Sequence, residues 1–62
     1  MRVKGIRVVA NEQQIALAIQ KHTGKTLAES LSIARQILNG NPVEFNEDWA
    51  LEQDLRDLGV RF

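Results

Sequence analysis

Sixty-two residues with one histidine and no cysteine exclude disulfide staples and an ordinary structural zinc site. At this length a single core contributes only about 3–5 kcal/mol, so residues 1–62 are expected to form one domain held by packing or by association. The formal charge is zero, which removes the broad electrostatic footprint of a non-specific nucleic-acid binder. No apolar run reaches the length of a membrane span or follows Met1 as a signal segment would, so a cytoplasmic protein with no membrane partner is expected.

The chain opens with Arg2-Val3-Lys4-Gly5-Ile6-Arg7-Val8-Val9, charged and apolar residues in alternation with one slip at Gly5, which reads as a strand kinked or bulged at the glycine. Asn11 with Gln14 three residues later is a capping-box pattern and opens a helix whose stripe is Ile15, Ala18, Ile19 and His22. Thr23-Gly24 closes it, the glycine being free to take the left-handed conformation. Thr26 with Glu29 starts a second helix at once, and that helix runs through Leu38 to an Asn39-Gly40 stop.

Beyond Gly40 the period changes. Val43 and Phe45 share one face of a short strand, and Asn46 is placed to cap a third helix with Glu47 and Asp48 in its first turn and Leu51, Leu55 and Leu58 as its stripe. Gly59 ends that helix, and Val60-Arg61-Phe62 forms a last strand. The expected class is α+β in the order β-α-α-β-α-β, a small antiparallel three-stranded sheet covered on one face by three helices. The expected core is Ile6 or Val8, Ile15, Ile19, Leu27, Ala34, Leu38, Val43, Leu51, Leu55, Leu58 and Val60.

The run Thr23-Gly24-Lys25-Thr26-Leu27-Ala28-Glu29-Ser30 and the ending Leu55-Arg56-Asp57-Leu58-Gly59-Val60-Arg61-Phe62 resemble the C-terminal domain of the bacterial ribosomal stalk protein. The resemblance covers roughly residues 6–62 and implies the same fold. The adaptors that deliver substrates to Clp proteases are similar in topology, but none of their peptide-pocket residues stands at a matching position. In the stalk family the first two helices recruit translation factors through basic side chains. Aligned through Thr23-Gly24, those basic positions fall at Leu17, Gln20 and Leu31, so the resemblance implies an inherited architecture without its electrostatic docking.

The same positions stand out without any family. Leu17 lies about 160° from Ile15 and Ile19 around the first helix and must face away from the stripe they form. Leu31 competes with a stripe of Ser30, Ile33, Ala34 and Ile37, which leaves it as core or flank. If both leucines are exposed, the apolar surface between the two helices marks a contact with a protein partner, ribosome-related or otherwise, or with a second copy of the chain; the alternative is that single surface leucines are ordinary and carry no contact. The candidate protein-binding residues are Leu17, Gln20, Lys21, Lys25 and Leu31. Charge is uneven: residues 1–25 hold Arg2, Lys4, Arg7, Lys21 and Lys25 against Glu12, and residues 26–62 hold seven carboxylates against Arg35, Arg56 and Arg61; such polarity most commonly neutralises itself within the fold, and otherwise orients a partner or pairs head to tail with another copy.

Other chemistry is poorly supplied. Gly24-Lys25-Thr26 ends like a phosphate loop, but the upstream glycine that such a loop needs is Ile19 in a helix. His22 has no cysteine partner and no serine set beside it, so it reads as a helix C-terminal cation. Glu47, Asp48, Glu52, Asp54 and Asp57 read as a solvated acidic face. No catalytic, metal or cofactor residues are expected, and the chain reads as a non-enzyme. Trp49 points away from the leucine stripe, and packing back over Phe45 and the sheet edge is its expected position. The alternative function is a ribbon-helix-helix DNA-binding dimer reading the major groove with Arg2, Lys4 and Arg7. The third helix, the acidic second half and the zero net charge speak against it.

Overall fold

The computed structural model describes residues 1–6 and 10–62. In chain order the elements are β1 (Arg2–Val3), β2 (Gly5–Ile6), α1 (Glu12–Thr23), α2 (Leu27–Leu38), β3 (Val43–Glu44), α3 (Trp49–Asp57) and β4 (Val60–Arg61). The class is α+β. The expectations for Arg7, Val8 and Val9 lie outside the described residues.

Each helix starts where a side chain satisfies backbone donors that have no intrahelical partner. Asn11 Oδ1 accepts from the N–H groups of Gln13 at 2.8 Å and Gln14 at 3.2 Å. The Thr26 hydroxyl accepts from the Glu29 N–H at 3.1 Å and donates to the Glu29 carboxylate at 3.0 Å. Gly24, at φ 73°, ends α1 with its N–H on the Gln20 carbonyl, 3.0 Å away. α2 ends in a Schellman motif: the Gly40 N–H donates to Ile37 at 3.1 Å and the Asn41 N–H to Gln36 at 2.9 Å.

The third cap differs from expectation. Asp48 rather than Asn46 is the N-cap, its Oδ1 accepting from the Leu51 N–H at 3.1 Å. Both residues are good caps, but the later one places a carboxylate at the positive end of the helix dipole. As a result Glu47 lies outside the helix and Trp49 is its first residue.

The expected three-stranded sheet resolves into two two-stranded antiparallel ladders, β1–β3 and β2–β4. Arg2 pairs with Glu44 and Val3 with Val43, whereas Gly5 pairs with Arg61 and Ile6 with Val60. Among the described residues β3 and β4 meet different parts of the N-terminal segment, β1 and β2 respectively. The break falls at Lys4, one residue before the expected kink, and the Lys4 N–H still donates to the Arg61 carbonyl at 2.7 Å.

α1 packs chiefly on α2 and α3, while α2 meets β2 and β3 and α3 meets β4. The buried set is Val3, Ile15, Ala16, Ile19, Ala34, Ile37, Phe45, Leu51, Leu55 and Val60, with Ser30 as the one buried polar residue among those described. Ile6, Leu38, Val43 and Leu58 pack against this core while half-buried. Leu27, expected inside, is 47% exposed. It lies about 50° from the centre of the Ser30, Ala34 and Ile37 stripe and begins the helix, so no preceding turn covers it.

Ser30 is fully buried, and its hydroxyl finds no hydrogen-bond partner among the described residues. An orphaned buried hydroxyl costs about 1–3 kcal/mol, and alanine is also the better helix former. Ser30→Ala is therefore expected to raise stability by about 1 kcal/mol, read as a higher urea midpoint at unchanged slope.

Candidate functional site

Because Ile15, Ala16 and Ile19 face the core, the opposite side of α1 is turned outward and carries Leu17, which is 55% exposed. Leu17, Gln13, Leu27 and Leu31 line an apolar groove of about 230 Å³ between α1 and α2. A second groove of about 340 Å³, between α1 and α3, is lined by Gln14, Leu17, Ala18, Asp54, Asp57 and Leu58. Leu17 is the wall common to both.

The five candidate residues are thus only partly brought together. Leu17 and Leu31 share the α1–α2 groove, with Leu31 half-buried at its flank. Gln20 is half-buried on the α2 side of α1, and Lys21 is exposed on the α3 side, where its charge reaches Asp54. Lys25 opens instead on a polar cavity of about 410 Å³ shared with His22, Thr23, Glu44, Glu47 and Asp48. Leu27 and the whole α1–α3 groove escaped the sequence reading. Leu27 belongs to the expected core and stands exposed instead, and the second groove depends on how α3 docks.

His22 has a partner that its position on α1 did not reveal. Its Nε2 lies 2.6 Å from Asp54 Oδ2, so the ring bridges α1 to α3. The imidazole is largely buried, whereas the carboxylate is nearly half exposed. The hydrogen bond from His22 holds the Asp54 carboxyl below the usual carboxylate range; the charges of His22 and Lys21 add to this, and desolvation opposes it.

The phosphate-loop-like tripeptide is fully occupied in structure. Gly24 is the left-handed cap of α1 and the Thr26 hydroxyl is the cap of α2. Among the described residues no group of three or more His, Asp or Glu side chains is arranged to hold a metal ion, and no helix is long and apolar enough to cross a membrane.

Trp49 does not fold back over Phe45. It is 76% exposed, while Phe45 is buried. As the first residue of α3 it lies about 160° from Leu51, on the side facing away from the core.

A carboxylate whose folded pKa is lowered adds stability above its unfolded pKa and loses it as pH falls through the folded value. The melting-temperature gap between the wild type and Asp54→Asn is therefore expected to be full at about pH 5 and to shrink below about pH 4, as thermal scans would show. A gap that widens on acidification would contradict the bridge.

The chain matches no protein-family model, no curated protein and no solved structure.

Proposed function

We propose that this chain is a non-catalytic protein-interaction module of the ribosomal-stalk C-terminal-domain type, in which the two ladders together stand for the three-stranded sheet. It binds a protein partner or itself through the outer face of α1 and α2. One observation carries the reading: a leucine at mid-helix, 55% exposed, walls two grooves whose other apolar residues are Leu27, Leu31, Ala18 and Leu58. Scattered exposed leucines are ordinary, but a leucine standing between two apolar grooves offers a partner a contact that excludes water.

The stalk-domain motifs support the fold part of the proposal, and the replacement of the basic positions by Leu17, Gln20 and Leu31 supports an apolar rather than an electrostatic contact. The absence of cysteine suits a reducing cytoplasm. A ribbon-helix-helix dimer would need the N-terminal strand to pair with its own copy, and residues 2–3 and 5–6 already have partners within the chain.

A photo-reactive residue placed at Leu17 or Leu27 in the source cell is expected to give covalent protein adducts. The same residue at Ser32, exposed on the far side of α2, is expected to give none. Equal yields from all three positions, or no adduct at Leu17 and Leu27, would overturn the reading. Leu17→Lys is expected to abolish the Leu27 adducts while changing stability by less than about 0.5 kcal/mol, as substitutions at exposed positions do.

A further inference from the structure

Independently of the apolar face of α1 and α2, we infer that the open face of the strands binds the phosphate backbone of a single-stranded nucleic acid through Arg2, Lys4 and Arg61. Val3, Phe45 and Val60 are buried in the core beneath the helices. The residues that alternate with them, Arg2, Glu44 and Arg61, therefore stand on the opposite face, and all three are exposed. Lys4 joins them because of the break between β1 and β2. Val3 and Ile6 both pack on the core, which leaves Lys4 and Gly5 together on the outer side. The Lys4 N–H on the Arg61 carbonyl and the pairing of Gly5 with Arg61 set both residues opposite one, as a bulge does. Lys4 thus lies beside Arg61, one strand spacing of about 5 Å away, and Arg2 lies about 7 Å further along its own strand.

The zero net charge reflects segregation rather than an even mixture. Of the eight carboxylates in the chain Glu44 alone stands on a strand, and the others lie on the helices and in the loop before α3. The arginines of α2 and α3 are paired, Arg35 with Glu12 and Arg56 with Glu52. Arg2, Lys4 and Arg61 make no ion pair among the described residues, although Glu44 faces Arg2 across the ladder. One face of a neutral chain therefore carries three unpaired cations against a single carboxylate.

The nature of the occupant follows from the rest of that face. Among the described residues its outward side chains include no apolar or aromatic group, so it has neither the apolar centre of a protein interface nor an anchor to insert among lipid chains. Phosphate oxygens need only cations and accessible main chain. At Gly5 an added Cβ would meet nothing within 4 Å, so a phosphate has room to approach the backbone between Lys4 and Arg61. The three cations span less than the about 12 Å width of a major groove, which suits one strand rather than a duplex. With no ring for bases to stack on, binding is indifferent to sequence.

Fluorescence anisotropy of a labelled oligouridine of about 12 nucleotides, titrated with the whole chain, tests this. The wild type is expected to bind with a Kd of about 100 µM at low salt. Its log–log salt slope is expected to be about −2, as three phosphate contacts on a single strand require. Arg2→Gln, Lys4→Gln and Arg61→Gln are each expected to weaken binding and to reduce the slope by about 0.7. Glu44→Gln is expected to tighten binding several-fold, and Arg35→Gln, in the helical layer, to leave it unchanged. No anisotropy change at about 1 mM protein, or an equal loss on Arg35→Gln, would overturn the inference. Displacement of the label by polyglutamate or by phosphatidylserine vesicles more effectively than by unlabelled oligouridine at equal charge would also overturn it, giving the face to an acidic protein or an anionic membrane.

Discussion

The close antiparallel packing of α1 on α2 is the constraint on which the rest of this molecule depends. Three residues separate the helices, and every one is committed: Gly24 is left-handed, the Lys25 N–H donates to the Thr23 hydroxyl at 3.3 Å, and Thr26 caps α2. The Thr23 hydroxyl in turn donates to the Ile19 carbonyl at 2.6 Å. Small residues at Ala16, Ser30 and Ala34 are buried between larger ones, which lets the backbones approach. Ile15 and Ile19 are fully buried on α1, each contributing about 1.5–3 kcal/mol of gross burial free energy against the entropy of ordering the chain. With those residues turned inward, helical geometry leaves Leu17 outward.

Electrostatics act on this arrangement as ties rather than as its foundation. Arg35 reaches Glu12 at 2.9 Å and joins the open end of the α1–α2 pair, while His22 and Asp54 join α1 to α3. The exposed Arg35–Glu12 pair contributes about 0–1 kcal/mol, so burial sets stability and charge sets orientation. In the protein contact proposed above the same division would hold, with apolar burial in the two grooves as the attraction and the charges along their rims as the orienting element.

Much of the fold could be read from residue type because helix ends are local. Asn11, Thr26, Gly24 and Gly40 act where their side chains or their freedom at positive φ said they would. Only the start of the third helix escaped that reading, because Asn46 and Asp48 are both competent caps two residues apart, and only the docking of Leu51 and Leu55 chooses between them. Trp49 followed the cap outward. The burial of Val3, Ile37 and Phe45 and the exposure of Leu27 depend on what stands opposite each residue, which periodicity cannot report. Leu17 was legible because it opposes Ile15 and Ile19 on its own helix. The His22–Asp54 bridge and the α1–α3 groove were not, since they join residues up to 44 positions apart.

The central claim is that α1 presents an apolar ridge to solvent while its neighbours on the same helix are sealed. A soluble paramagnetic probe with methyl NMR on a dilute sample tests it most directly. The account predicts strong broadening of the Leu17 and Leu27 methyls, with those of Ile15, Ile19, Leu51 and Leu55 protected. Protection of Leu17 equal to that of Ile19 would contradict it.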